Sequence, residues 1–106
     1  MITIEIRKSD KGYTGFSSKG HAGYAEHGFD IVCAAVSALT VNTINSIEKF
    51  TNDPFKAEAA DGMLRWKFTE IPISKEAELL MDSMILGLEY IQESYGKKYI
   101  KINKKA

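Results

Sequence analysis

The sequence predicts an α+β domain in which two helices pack on an antiparallel sheet, in the element order ββαββαβ. Three observations lead to this prediction. Apolar residues alternate with polar ones in several short segments, as in half-buried strands. Two longer segments carry apolar residues at helical spacing, and residues that favour turns and helix caps separate the segments. With 106 residues and 44% hydrophobic content, residues 1–106 are expected to form one domain around one core.

The amino-terminal third predicts a hairpin. Isoleucines alternate with polar residues over 2–8, which indicates a strand, and a turn at 9–12 leads to a second strand over 13–19. Gly15 weakens this second strand and is typical of a β-bulge. A glycine-punctuated loop over 20–29 follows, longer than the usual connection of about 4–6 residues.

The first helix is predicted to begin after Asp30, whose carboxylate can accept backbone N–H groups of the first turn. Apolar residues continue at helical spacing to Phe50, and the run Asn52-Asp53-Pro54 ends the helix. A second hairpin follows, because alternating segments flank the strong turn signal Asp61-Gly62.

The second helix is predicted to begin after Ser74 and to run to about Tyr95, with Gly96 closing it and a last strand over 98–103. Its apolar arc is wider than one sheet face should cover, so a homodimer is expected to bury the surplus. The arc comprises Leu79, Leu80, Met81, Met84, Ile85, Leu86, Leu88, Tyr90 and Ile91.

Charge and composition exclude some classes of function. Fourteen basic and fourteen acidic residues cancel, so no direct nucleic-acid binding is expected. The lysines of residues 97–105 fit a solvated edge strand and tail, with a polyanion contact as the alternative. No apolar run approaches the roughly 20 residues needed to span a bilayer, so no membrane partner is expected. The start of the chain lacks the pattern of a signal peptide, and one cysteine suits the reducing cytoplasm.

The chemistry-bearing residues concentrate in 20–37, which holds the only cysteine and both histidines. Cys33 is expected in the first helical turn, where the helix dipole favours a thiolate nucleophile and can lower its pKa from the free value of about 8.5. The alternative is that Cys33 is a small buried apolar residue.

His21 can face Cys33 across the mouth of the loop and act as its general base and acid. The alternative is a loop histidine bound to backbone carbonyls. His27 is a rival base, nearer to Cys33 in sequence. Asp30 either orients an imidazole as a third catalytic group or only caps the helix, and Glu26 is a weaker candidate for the orienting role. His21, His27 and Cys33 could also hold zinc, but their spacing matches no common zinc pattern, so no metal and no cofactor are expected.

These residues resemble the Prp family, the ribosomal-processing cysteine proteases of Firmicutes and related bacteria. The resemblance is carried by Gly20-His21-Ala22 followed by the run from Gly28 to Ser37, Gly-Phe-Asp-Ile-Val-Cys-Ala-Ala-Val-Ser. It extends over the whole chain in length, opening strand and two-helix layout.

The resemblance implies an endopeptidase that removes the N-terminal extension of a large-subunit ribosomal protein, cutting after a pair of aromatic residues. It implies that Cys33 is the nucleophile, that His21 is the catalytic histidine, and that Asp30 is a motif aspartate. It also implies a homodimer. Backbone N–H groups of the first helical turn, those of Cys33 and Ala34, are the expected oxyanion donors.

Two aromatic residues of the loop, Tyr24 and Phe29, are candidates for closing over the substrate. The competing interpretation is a non-catalytic, ribosome-associated binding module whose loop contacts a ribosomal protein or RNA and whose Cys33 is inert.

Overall fold

The computed structural model describes residues 1–26 and 30–106 and confirms the predicted α+β fold and element order. The elements are β1 (Ile2–Ser9), β2 (Gly12–Lys19), α1 (Ile31–Phe50), β3 (Phe55–Ala60), β4 (Met63–Phe68), α2 (Lys75–Tyr95) and β5 (Ile100–Lys105).

The five strands form one sheet in the order β3-β4-β2-β1-β5. Its pairs are antiparallel except for β1 and β5, which run parallel. The sheet is therefore mostly antiparallel, as predicted, with one parallel pair at its β5 edge. The parallel pair arises because α2 is a crossover. The chain leaves β4, passes through α2, and enters β5 at the far edge of the sheet, running in the same direction as β4 and β1.

A bulge interrupts the first hairpin beside Gly15. Arg7 pairs with Gly15 and Lys8 with Tyr13, so Thr14 is the extra residue. Gly15 also lets β2 approach β4 closely, because a Cβ atom there would lie 2.9 Å from the carbonyl oxygen of Trp66.

Both helices cover the same face of the sheet. Ile4, Phe16 and Trp66 are buried beneath them, and the rings of Phe16 and Trp66 stack with centroids 4.4 Å apart. The helices meet at Gly87, where a Cβ atom would lie 2.6 Å from Cδ2 of Leu39.

Helix α1 (Ile31–Phe50) is long and apolar enough to cross a membrane by length and composition alone. This differs from the expectation that no apolar run reaches that length. A core helix passes the same test, and α1 contributes six buried residues to the packing: Val32, Val36, Thr40, Thr43, Ile44 and Ile47.

Candidate active site

A cleft of about 640 Å³ lies between the start of α1, the end of β2 and the turn that joins β3 to β4. Both His21 and Cys33 line it, as do Asp30 and the turn residues Asp61 and Gly62. Much of the remaining lining is apolar, and it includes Ile2, Val36, Val41, Met63 and Leu64. Such a lining suits apolar side chains of a bound peptide.

Asp30 is the N-cap of α1 and is only 8% exposed. Its Oδ1 accepts the N–H groups of Val32 and Cys33, each at 3.0 Å, and its Oδ2 accepts the N–H of Tyr24 at 3.0 Å. Burial acts to raise the pKa of Asp30, but these backbone donors outweigh burial and hold the pKa below its ordinary value. The ionised carboxylate therefore joins the loop to the helix start.

The Cys33 thiol is half-buried, and its Sγ accepts a hydrogen bond from the backbone N–H of Ala22 at 3.1 Å. Burial raises the pKa of Cys33; the Ala22 N–H acts in the opposite direction, and the Asp30 carboxylate adds to the increase. The structure thus contradicts the expected lowering of this pKa. Burial of the thiol is the largest cause, and the cap adds a full negative charge at the helix end whose dipole would favour a thiolate.

The N–H groups expected to stabilise an oxyanion are both engaged. The N–H of Cys33 donates to the Asp30 carboxylate, and the N–H of Ala34 donates to the Asp30 carbonyl oxygen at 3.0 Å. The N–H that donates to the sulfur is that of Ala22, a residue with no chemistry in its side chain to indicate this role. The signal that the sequence offers is its position in the motif, directly after His21.

The position of His21 depends on the β3–β4 turn. Gly20, which follows β2, donates its N–H to the carbonyl oxygen of Gly62 at 2.7 Å. The imidazole of His21 then lies against Gly62, with its Nε2 4.0 Å from Oδ2 of Asp61. The side chain of His21 is 49% exposed. The sequence identified Asp61 and Gly62 only as a turn, so their proximity to His21 is a finding of the structure.

Tyr24 and Glu26, the other described candidates of the loop, do not line the cleft. The ring of Tyr24 packs edge-on against Tyr95 and Tyr99, with centroids 5.5 and 5.1 Å away, at the junction of α2 and β5. Glu26 is exposed. His27 and Phe29 lie outside the described residues. Within 1–26 and 30–106, no three His, Cys, Asp or Glu side chains are grouped closely enough to hold a metal ion.

The arrangement suits thiol chemistry on a peptide. It brings a thiol sulfur, a backbone N–H that donates to this sulfur, and an imidazole to one partly apolar cleft. These are the groups that a thiol-dependent acyl transfer requires.

Comparison with known proteins agrees with this chemistry. The model of the family described as cysteine protease Prp matches residues 1–101. The ribosomal processing cysteine protease Prp of Bacillus subtilis is 37% identical, over 90% of each chain. The protein of the same name from Staphylococcus aureus is 32% identical, over 99% of this chain and all of the relative.

Solved structures share the whole fold. A crystal structure of the essential ribosomal processing protease Prp from S. aureus, in complex with a covalently linked product peptide, superposes with a TM-score of 0.91 at 32% identity. A second, with a substrate peptide, gives a TM-score of 0.85 at 31% identity. Each comparison covers 99% of this chain and 100% of the relative. The chain therefore belongs to the Prp family of cysteine proteases.

Proposed function

We propose that this protein removes the N-terminal extension of a large-subunit ribosomal protein in the cytoplasm, with Cys33 as the nucleophile and His21 as the general base and acid. One observation carries the proposal: the two side chains line the same cleft, and the Cys33 sulfur faces a backbone N–H. The names of the relatives, ribosomal processing proteases, support the substrate class.

The reaction begins with a protonated thiol, because burial and the Asp30 charge keep the pKa of Cys33 high. His21 accepts the thiol proton as the sulfur attacks the scissile carbonyl carbon. The C–N bond then breaks, and His21 gives the proton to the leaving amine. Water, deprotonated by His21, attacks the remaining thioester and restores the thiol.

The oxyanion is stabilised by the N–H of Ala22. This donor lies 3.1 Å from Sγ, so the carbonyl oxygen of a substrate attacked by that sulfur lies close to the same N–H. Asp30 occupies the N–H groups of Cys33 and Ala34, which leaves Ala22 as the described donor at the sulfur. An N–H placed where negative charge develops lowers the barrier without reorganisation.

The enzyme acts as a homodimer in this proposal. Leu79, Leu86 and Tyr90 are each about 70% exposed, and their spacing places them on one side of α2. This stripe is the surplus of the apolar arc that the sheet does not cover. Apolar surface of this kind is stabilised when a second copy covers it.

The proposal is tested with a synthetic peptide that spans the N-terminal extension of the organism's own ribosomal protein. Mass spectrometry of the products should show one cut, placed after the paired aromatic residues. Cys33→Ser should abolish the cut while circular dichroism shows a native fold, because a hydroxyl is a weak nucleophile without stronger activation. Cleavage by Cys33→Ser at the wild-type rate would refute the role of Cys33.

A further inference from the structure

The side of the sheet that faces away from the helices is strongly basic. This outer face is formed by alternate residues of all five strands, namely Thr3, Glu5 and Arg7 on β1 and their cross-strand neighbours. It carries seven of the fourteen lysines and arginines but only two of the fourteen acidic residues. The net charge of zero conceals this separation of basic from acidic residues. The net charge led to the expectation that the protein does not bind nucleic acid, and that expectation therefore needs a direct test.

Four of these cations form a row across the sheet. The cross-strand partners run Lys105, Arg7, Gly15, Lys67 and Lys56, from β5 to β3. With neighbouring strands about 4.8 Å apart, the row spans roughly 19 Å. Like charges stand directly opposite one another at both ends of the row, an arrangement that destabilises a sheet.

Neighbouring acids offset only part of this repulsion. Glu5 pairs with Arg7 at 3.1 Å and with Lys105 at 2.8 Å. In the part of the chain that the structure describes, Lys56 and Lys67 form no ion pair. The repulsion between Lys56 and Lys67 is therefore not offset, and it stabilises neither the fold nor the cleft.

Protection of sheet edges does not explain the row. Lysines on edge strands prevent pairing with other sheets, and this accounts for Lys56 on β3 and Lys105 on β5. Arg7 and Lys67, however, lie on β1 and β4, which are paired on both sides. The cations on the interior strands indicate a partner of opposite charge.

The shape of the outer face fits the same partner. A groove of about 830 Å³ lies on it, lined by Arg7, Lys56 and Lys67 and also by the acidic Glu5 and Glu58. Phe16 and Trp66 border this groove as well, but each is only 2% exposed. Among the described residues of the outer face, Met63 is the one large apolar side chain and none is aromatic. The face therefore lacks the apolar anchors of a membrane surface and the stacking platforms that hold unpaired bases.

We propose that the outer face binds the phosphate backbone of folded RNA. The choice of RNA rests on the proposed function, because a protease that processes a ribosomal protein meets its substrate beside RNA. Lys19 belongs to this face and lies two residues before His21. RNA bound there would hold the rim of the cleft close to a ribosomal protein without entering the cleft.

The test is fluorescence anisotropy with a labelled RNA hairpin of roughly 20 base pairs, a length that presents phosphates across successive grooves. Binding should weaken as salt is raised from about 50 to about 200 mM, with a log–log slope near 0.9 for each phosphate contacted. The double variant Lys56→Gln/Lys67→Gln should bind roughly tenfold more weakly and reduce the salt slope by about 2. It should be at least as stable as wild type, because the opposed like charges are removed.

The matched control is Lys49→Gln/Lys75→Gln, which makes the same change in net charge on the two helices and should keep wild-type affinity. No binding at the lower salt, or an equal loss in both double variants, would overturn the inference. Tighter binding to phosphatidylserine vesicles than to RNA would also overturn it and assign the face to a membrane. Peptide cleavage is measured on the same samples, so RNA binding without cleavage would refute the proposed function and leave this inference standing.

Discussion

Gly62 and His21 are in such close contact that position 62 has no room for a side chain. A Cβ atom built on Gly62 would lie 2.9 Å from Nε2 of His21 and 3.2 Å from its Cε1. The φ angle of Gly62 is +68°, a conformation that favours glycine. The β3–β4 turn thus sets the position of the imidazole from the opposite wall of the cleft.

Gly62→Ala should lower kcat/KM for the extension peptide by about 10²-fold, because a small displacement of a catalytic group is costly. An internally quenched peptide measures the rate. Gly12→Ala is the matched control, since Gly12 also has a positive φ but its Cβ would meet only a Glu78 oxygen at 3.9 Å. Both variants should lose similar stability from backbone strain. An equal loss of activity in both would show that strain, rather than contact with His21, is responsible.

His21→Ala should reduce kcat/KM by about 10²–10⁴-fold, the usual effect of removing a general acid or base. His27→Ala should have a much smaller effect, since His27 is not needed for the proposed proton transfers. The comparison is made by measuring the rate of peptide cleavage by the two purified variants. Circular dichroism checks that both are folded. A greater loss in His27→Ala would assign the base to His27.

Asp30→Asn should lower the pKa of Cys33, because the carboxylate beside the thiol helps to raise that pKa. The measurement is the rate of iodoacetamide alkylation as a function of pH. In the wild type, alkylation should be slow at neutral pH and increase above it; in the variant, the neutral rate should be several-fold higher. Asp10→Asn, in the β1–β2 turn, is the control for the loss of one charge and should leave the profile unchanged.

The same variant tests the cap. The pKa of Asp30 is lowered in the folded protein, so its ionisation contributes stability above the unfolded pKa of about 3.9, and this contribution is lost as the pH falls through the folded value. Asparagine keeps much of the capping ability, so the loss at neutral pH should be within about 1 kcal/mol. A variant as acid-sensitive as the wild type would show that Asp30 does not cause the linkage.

Leu86→Glu should weaken the proposed homodimer at least tenfold, because burying a leucine contributes about 1.5–3 kcal/mol. Sedimentation velocity at several concentrations measures the dissociation constant. Phe50→Glu is the matched control: Phe50 on α1 and Leu86 on α2 are both 70% exposed. If both variants dissociated equally, or if the wild type were monomeric at every concentration, α2 would not carry the dimer interface.

The elements could be predicted because their signals are local. Alternation, caps and turn residues lie within a few positions of the structure they specify, as at Asp30 and the Asp61-Gly62 turn. The parallel pairing of β5 with β1 could not be predicted, because it depends on where a crossover helix returns the chain. Contacts between residues distant in sequence were also not predictable within the site: Gly62 contacts His21, although 41 positions separate them in the sequence.

The direction of the Cys33 pKa shift was missed for a different reason. The sequence places both the thiol and the acidic cap at the helix start, but the helix dipole alone predicts a lowered pKa, whereas burial and the Asp30 charge raise it. The Ala22 N–H was missed because the fold of the loop, rather than any side chain, brings it to the sulfur.

The raised pKa of Cys33 has a consequence for the lifetime of the enzyme. Peroxides and other cellular oxidants react with thiolates far faster than with thiols. Because the pKa of Cys33, the proposed nucleophile, is raised, the enzyme should be slow to form sulfenic and sulfinic acids between turnovers. In the proposed mechanism the sulfur becomes reactive only when His21 removes its proton, and the acyl group of the substrate then occupies the sulfur. The Asp30 charge, which helps to raise this pKa, should thus also protect the proposed nucleophile from oxidation.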